Sequence, residues 1–145
     1  MLWAPAGAAT AITTTLVPLD FYESRYADLF ELIASHVSKG IPHDPASIAA
    51  AITAKGDGPD HRGTRLLRGL ADVTTAGADP ETASHYALAV AGAAYRRGFH
   101  TAATRLAQAA TELPESELFT HLLAVGRQQR TATQRLVRIR SALGG

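Results

Sequence analysis

The chain has 145 residues, 46% of them hydrophobic, with 14 basic and 13 acidic side chains and no cysteine. That is enough for one domain with its own core. It excludes disulfide frameworks, thiolate metal sites and cysteine nucleophiles, and so even a charge balance argues against a protein that works chiefly by gripping nucleic acid.

Aromatic residues make up only 6%, and alanine supplies much of the remaining apolar content, which favours closely packed helices. The charge is unevenly spread. Residues 1–60 hold three basic and seven acidic side chains, net −4, and residues 61–145 hold eleven and six, net +5, so the two halves offer different surfaces.

The apolar run from Met1 to Val17 lacks a basic leader and is broken by Pro5 and Gly7, so it does not read as a signal peptide. Residues 6 to 16 read as a short first helix ending near Pro18, and Asp20, Phe21 and Tyr22 open the turn that follows. From Ser24 to Lys39 the positions Tyr26, Leu29, Phe30, Ile33 and Val37 fall at three- and four-residue steps, which predicts a helix stopped by Gly40. Asp44 before Pro45 is a helix start: the carboxylate accepts from orphan amides and proline fills the first helical position without losing a bond. Ile48 and Ile52 then face inward and Gly56 closes the helix. Gly56-Asp57-Gly58-Pro59-Asp60 reads as a loop, Leu66, Leu67 and Leu70 as a further short helix, and Asp79 with Pro80 as a second capped start.

From Pro80 to Leu113 no proline intervenes, and Leu88, Gly92, Tyr95, Phe99, Ala102, Leu106, Ala109 and Leu113 alternate steps of four and three. After Pro114 the positions Leu118, Leu122, Val125, Gln129, Ala132, Leu136, Ile139 and Leu143 repeat the alternation. Two such seams joined by so short a connection predict an antiparallel helical hairpin. The expected fold is therefore all-α: a compact helical globule over residues 1–79 followed by a long hairpin over residues 80–145.

The last helix carries more apolar surface than one seam uses. Phe119, Leu123 and Val137, with Gly126, Arg130 and Thr133 between them, follow the same spacing a quarter to a third of a turn away. A helix with two such stripes needs two neighbours: its hairpin mate, and either the globule or a second subunit. At about 100° per residue, Arg127, Arg130, Arg135 and Arg138 spread over the side opposite the Leu118 to Leu143 seam. Only Glu115 and Glu117 are acidic on this helix, so these arginines are not neutralised locally. They face solvent, an acidic protein surface or nucleic-acid phosphates.

Catalytic signatures are missing from the pattern. The only two lysines, Lys39 and Lys55, each precede a glycine, so no phosphate-gripping glycine–lysine loop exists. There is no Gly-x-Ser-x-Gly elbow, no His-Glu-x-x-His helix and no paired-glycine dinucleotide fingerprint. His36, His43, His61, His85, His100 and His121 are scattered, with none at the three- or four-residue spacing that places two on one helical face. Neither an enzyme, a cofactor nor a metal site is expected. No stretch reaches the roughly 18 apolar residues that a membrane span needs, and a cytoplasmic protein is the expectation.

Taken in order, these features resemble the N-terminal domain of DnaB-type replicative DNA helicases. Leu2-Trp3 and Asp20-Phe21-Tyr22 look like the segment leading to that family's Asp-Phe-Tyr motif, and Tyr26, Leu29 and Phe30 stand where it has a histidine and two large apolar residues. Gly40-Ile41-Pro42-His43-Asp44 is similar to its Gly-x-Pro-x-Asp helix start. Arg62-Gly63 with Leu67 and Leu70 resembles the stretch after its glycine pair, and Tyr86, Val90, Arg96 and Arg97 resemble the helix that begins its hairpin. The departures are Tyr26 for the histidine, Arg62 for one glycine, and no acidic helix before Leu2. The chain ends at Gly145, where the family continues into a nucleotide-hydrolysing motor, so either an excised domain or a stand-alone relative is expected.

The resemblance implies a non-catalytic scaffold that pairs through its hairpin into a dimer or higher ring and receives the helicase-binding domain of primase, with a helicase loader as a further partner. Phe119, Leu123 and Val137 are then the apolar contact stripe, and Arg127, Arg130, Arg135 and Arg138 orient acidic partners. The alternative is a stand-alone adaptor that binds single-stranded DNA along the arginines.

Overall fold

Short-range signals in the sequence set where the helices start and stop, and the computed structural model follows them closely; it describes residues 1–56, 61–77 and 79–144. The helices are α1 (Ala6–Thr15), α2 (Ser24–Ser38), α3 (Pro45–Lys55), α4 (Arg62–Thr75), α5 (Ala83–Glu112) and α6 (Glu115–Leu143), with one-turn 3₁₀ segments at Pro18–Asp20 and Pro80–Thr82. No strand occurs among the described residues, so the chain is all-α. Asp44 caps α3 by accepting from the amides of Ala46 at 3.0 Å and Ser47 at 3.1 Å. Gly40 and Gly56 end α2 and α3 with φ of 65° and 69°, a region that costs glycine nothing. Of the expected loop after α3, residues 57–60 lie outside the described residues.

Helix α2 is the centre of the globule because it has two apolar faces. Leu29 and Ile33 pack with Ile48 and Ile52 of α3 and Leu66 and Leu70 of α4. Phe30 turns the other way, into a core with Ala9, Ile12 and Leu16 from the α1 region. Of the three leucines that mark α4, Leu66 and Leu70 are buried and Leu67 is exposed.

The second core is where the hairpin joins. Ala83, Ala87 and Ala91 form an edge of α5, and Leu136, Ile139 and Leu143 come from the far end of α6; all six are buried in the core that holds Ala9 and Phe30. Small side chains at four-residue steps let α5 approach α1 closely. The foot of the hairpin is thus built into the globule, and its distal part projects from it.

Helices α5 and α6 turn back on each other at Leu113–Pro114, and their pairing is the most extensive in the molecule. Ala102, Ala109 and Val125 are buried between them. Gln129 sits in the seam and donates from Nε2 to the Gly98 carbonyl at 3.2 Å, a polar tie that fixes alignment. Two expected seam residues depart from the pattern. Phe99 and Leu122 are exposed, because with only two helices in the distal part nothing covers the flanks of the seam. Phe99 instead meets the Tyr95 ring edge-on at 5.0 Å between centroids.

Candidate functional site

The outer face of α6 was singled out by its surplus of apolar residues, and the fold leaves that surplus uncovered. Phe119 is 68% exposed, Val137 56% and Leu123 43%. They follow one line along the helix for about 27 Å, at 1.5 Å per residue. Leu122, one turn beyond Phe119, is also exposed, so Phe119, Leu122 and Leu123 make a continuous apolar patch in the distal part of the hairpin.

Helix α5 adds to this face through side chains that sequence spacing had placed inside. The Tyr95 hydroxyl lies 2.9 Å from Thr133 Oγ1, and Tyr95 in turn holds the Phe99 ring. Aromatic surface from α5 therefore reaches the flank of α6 that bears Thr133 and, four residues on, Val137.

The four arginines separate into two groups. Arg127, Arg130 and Arg138 are exposed, and no carboxylate pairs with them among the described residues. Arg127 and Arg138 are eleven residues apart and so lie about 20° from one line, whereas Arg130 falls within the apolar stripe.

Arg135 lies on the opposite flank, turned toward the globule. Its guanidinium donates to Asp20 Oδ1 at 2.7 Å and Oδ2 at 2.6 Å, and to the Thr15 carbonyl at 3.1 Å. Asp20 is only 4% exposed, and its Oδ2 also accepts from the Val17 amide at 2.9 Å. Hydrogen bonding to Asp20 raises the Arg135 pKa above its already high ordinary value, so the clasp holds a permanent cation. Its guanidinium is committed within the chain rather than offered outward. Counting acids on α6 alone could not find this partner.

Arg97 of α5 completes the arrangement. It donates to the Asp20 carbonyl oxygen at 2.5 Å, with its guanidinium 5.8 Å from the centre of the Tyr22 ring. One residue of the first 3₁₀ turn is thus held by both hairpin helices, through its backbone by α5 and its side chain by α6. Such a clasp sets the direction in which the hairpin leaves the globule. The signal in the sequence was Asp20 itself, within Asp20-Phe21-Tyr22, although nothing in its spacing named Arg135.

A family model described as DnaB-like helicase N terminal domain matches residues 1–91. The match covers the globule and the first part of α5, while the distal hairpin and α6 lie beyond it. No curated protein and no solved structure matches the chain. No helix among the described residues is long and apolar enough to cross a membrane.

Proposed function

This chain belongs to the DnaB-like helicase N-terminal domain family, and from that premise we propose that it is a non-catalytic replication scaffold. It associates with further copies of itself through the hairpin, as a dimer or higher ring, and docks replication partners, foremost the helicase-binding domain of a primase. The observation that carries this reading is the exposure of Phe119, Leu123 and Val137 on one line of a long helix whose other side is already occupied. Exposed apolar surface rimmed by polar groups is what association covers.

The arginines supply direction. Arg127 and Arg138 flank the stripe and pair with no carboxylate among the described residues, so an acidic surface approaching the hairpin is steered and held in register. Arg135 takes no part in docking and works inward, keeping the hairpin at a fixed angle to the globule. Titration calorimetry with a primase helicase-binding domain tests the docking role. Binding that weakens when Arg127 and Arg138 are both replaced by glutamate, and weakens further with salt, supports it; no heat of binding at any salt concentration contradicts it.

A second reading rests on Arg127 and Arg138, which pair with no carboxylate among the described residues: single-stranded DNA lying along the hairpin. It requires retardation of an oligonucleotide at low ionic strength that disappears in the doubly substituted protein.

A further inference from the structure

A cavity of about 360 Å³ lies between the globule and the foot of the hairpin, and no residue of α6 lines it. It opens where the two cores meet. Ile12, Leu16 and Phe30 reach it from one core, and Leu2, Leu29 and Ile33 from the other. All six are buried and apolar. The volume falls within the range of small-molecule sites, roughly 300–1,000 Å³. Apolar walls of this kind gain van der Waals contacts when an apolar group enters.

Polar groups are few in this lining. Among the described lining residues Asp79 carries the single carboxylic side chain, and no lysine, arginine or histidine side chain is present. Its Oδ1 caps the turn before α5 by accepting from the Glu81 amide at 3.0 Å, and no cation pairs with it among the described residues. Trp3 and Tyr86 are the exposed aromatics of the lining, and aromatic faces attract positive charge as a carboxylate does. The Met1 amino group is the opposing charge, and burial pushes its pKa down, toward the neutral form.

We propose that this cavity is a binding site for a small amphiphile, an apolar body carrying a cationic head, with the body between the two cores and the head at Asp79, Trp3 and Tyr86. Nothing in the scaffold role requires such a site, and it stands or falls separately from that role.

Trp3 is the only tryptophan in the chain, so its fluorescence reports occupancy directly. Titration with octyltrimethylammonium, 1-octanol and octyl sulfate, each below its aggregation threshold, separates the apolar from the charged contribution. The expected result is a saturable change in Trp3 emission, tightest for the ammonium, weaker for the alcohol and weakest for the sulfate. Asp79→Asn keeps an oxygen that caps the turn and removes the charge. It lowers the ammonium affinity several-fold, toward that of the alcohol, and leaves the alcohol unchanged. Ala87→Leu, which narrows the cavity, weakens both ligands; if that protein does not fold, the Asp79→Asn comparison decides alone. Absence of a saturable Trp3 response to all three probes overturns the site. Equal affinity for the ammonium and the alcohol in the unsubstituted protein overturns the cationic head.

Discussion

The Arg135 guanidinium spans both carboxylate oxygens of Asp20 across 115 residues of sequence. This pair joins the last helix to the first 3₁₀ turn, and the partners are unequally exposed: Arg135 reaches the surface while Asp20 is enclosed. Removing the arginine leaves a buried carboxylate without its cation, which is costlier than the pair is worth.

Arg135→Ala is expected to lower the unfolding free energy by about 3 kcal/mol, the lower end for a broken buried pair because one partner is partly solvated. Arg135→Lys restores charge without the two-pronged geometry and recovers only part of that loss. Urea unfolding followed by circular dichroism measures both. An Arg135→Ala protein as stable as the parent would show that the clasp does not hold the hairpin to the globule.

The N-cap of α3 predicts an acid-sensitive contribution to stability. The Ser47 hydroxyl, donating to Asp44 Oδ2 at 2.6 Å, and the Ser47 and Ala46 amides hold the Asp44 carboxyl below the ordinary carboxylate value. A depressed folded-state pKa stabilises above the unfolded value and is lost as pH falls through the folded one. The thermal midpoint of the parent should therefore exceed that of Asp44→Ala at neutral pH. The difference should shrink below about pH 4. A difference that stays constant down to the acid limit would rule out the carboxylate as the source.

Much of this architecture was legible because helix caps and periodic apolar positions are local. Asp44-Pro45, Gly40 and the break at Pro114 each mark a boundary the structure keeps. Three features were not legible, each for a physical reason. Asp20 and Arg135 meet only through the fold. The Ala83, Ala87 and Ala91 edge carries too little side chain to stand out, although it lies against the globule. Heptad spacing placed Phe99 and Leu122 in the seam, but spacing does not say how far a two-helix contact shields its flanks. The outer stripe of α6 was legible as surplus, but spacing alone did not say that the fold would leave Phe119, Leu123 and Val137 exposed.

Two glycines in α5 provide a check on the hairpin itself. A Cβ at Gly92 would meet nothing within 4 Å, and one at Gly98 would meet only Gln129 Oε1 at 4.0 Å. Gly92→Ala and Gly98→Ala should each stabilise the protein by about 0.5–1 kcal/mol, because alanine loses less backbone entropy in a helix. Denaturant midpoints report the change. A loss of stability at Gly98 would mean that the two helices lie closer together than the structure places them.

The scaffold role turns on whether a second copy covers the line from Phe119 to Val137, and sedimentation velocity over a concentration series measures that most directly. Phe119 and Leu123 are exposed, so Phe119→Asp and Leu123→Asp should leave circular dichroism and the thermal midpoint of the separated chain unchanged. The unsubstituted protein is predicted to associate with increasing concentration, and either aspartate to weaken that association at least about tenfold. A protein that sediments as a single chain at every concentration, or one whose association ignores both substitutions, would contradict the account.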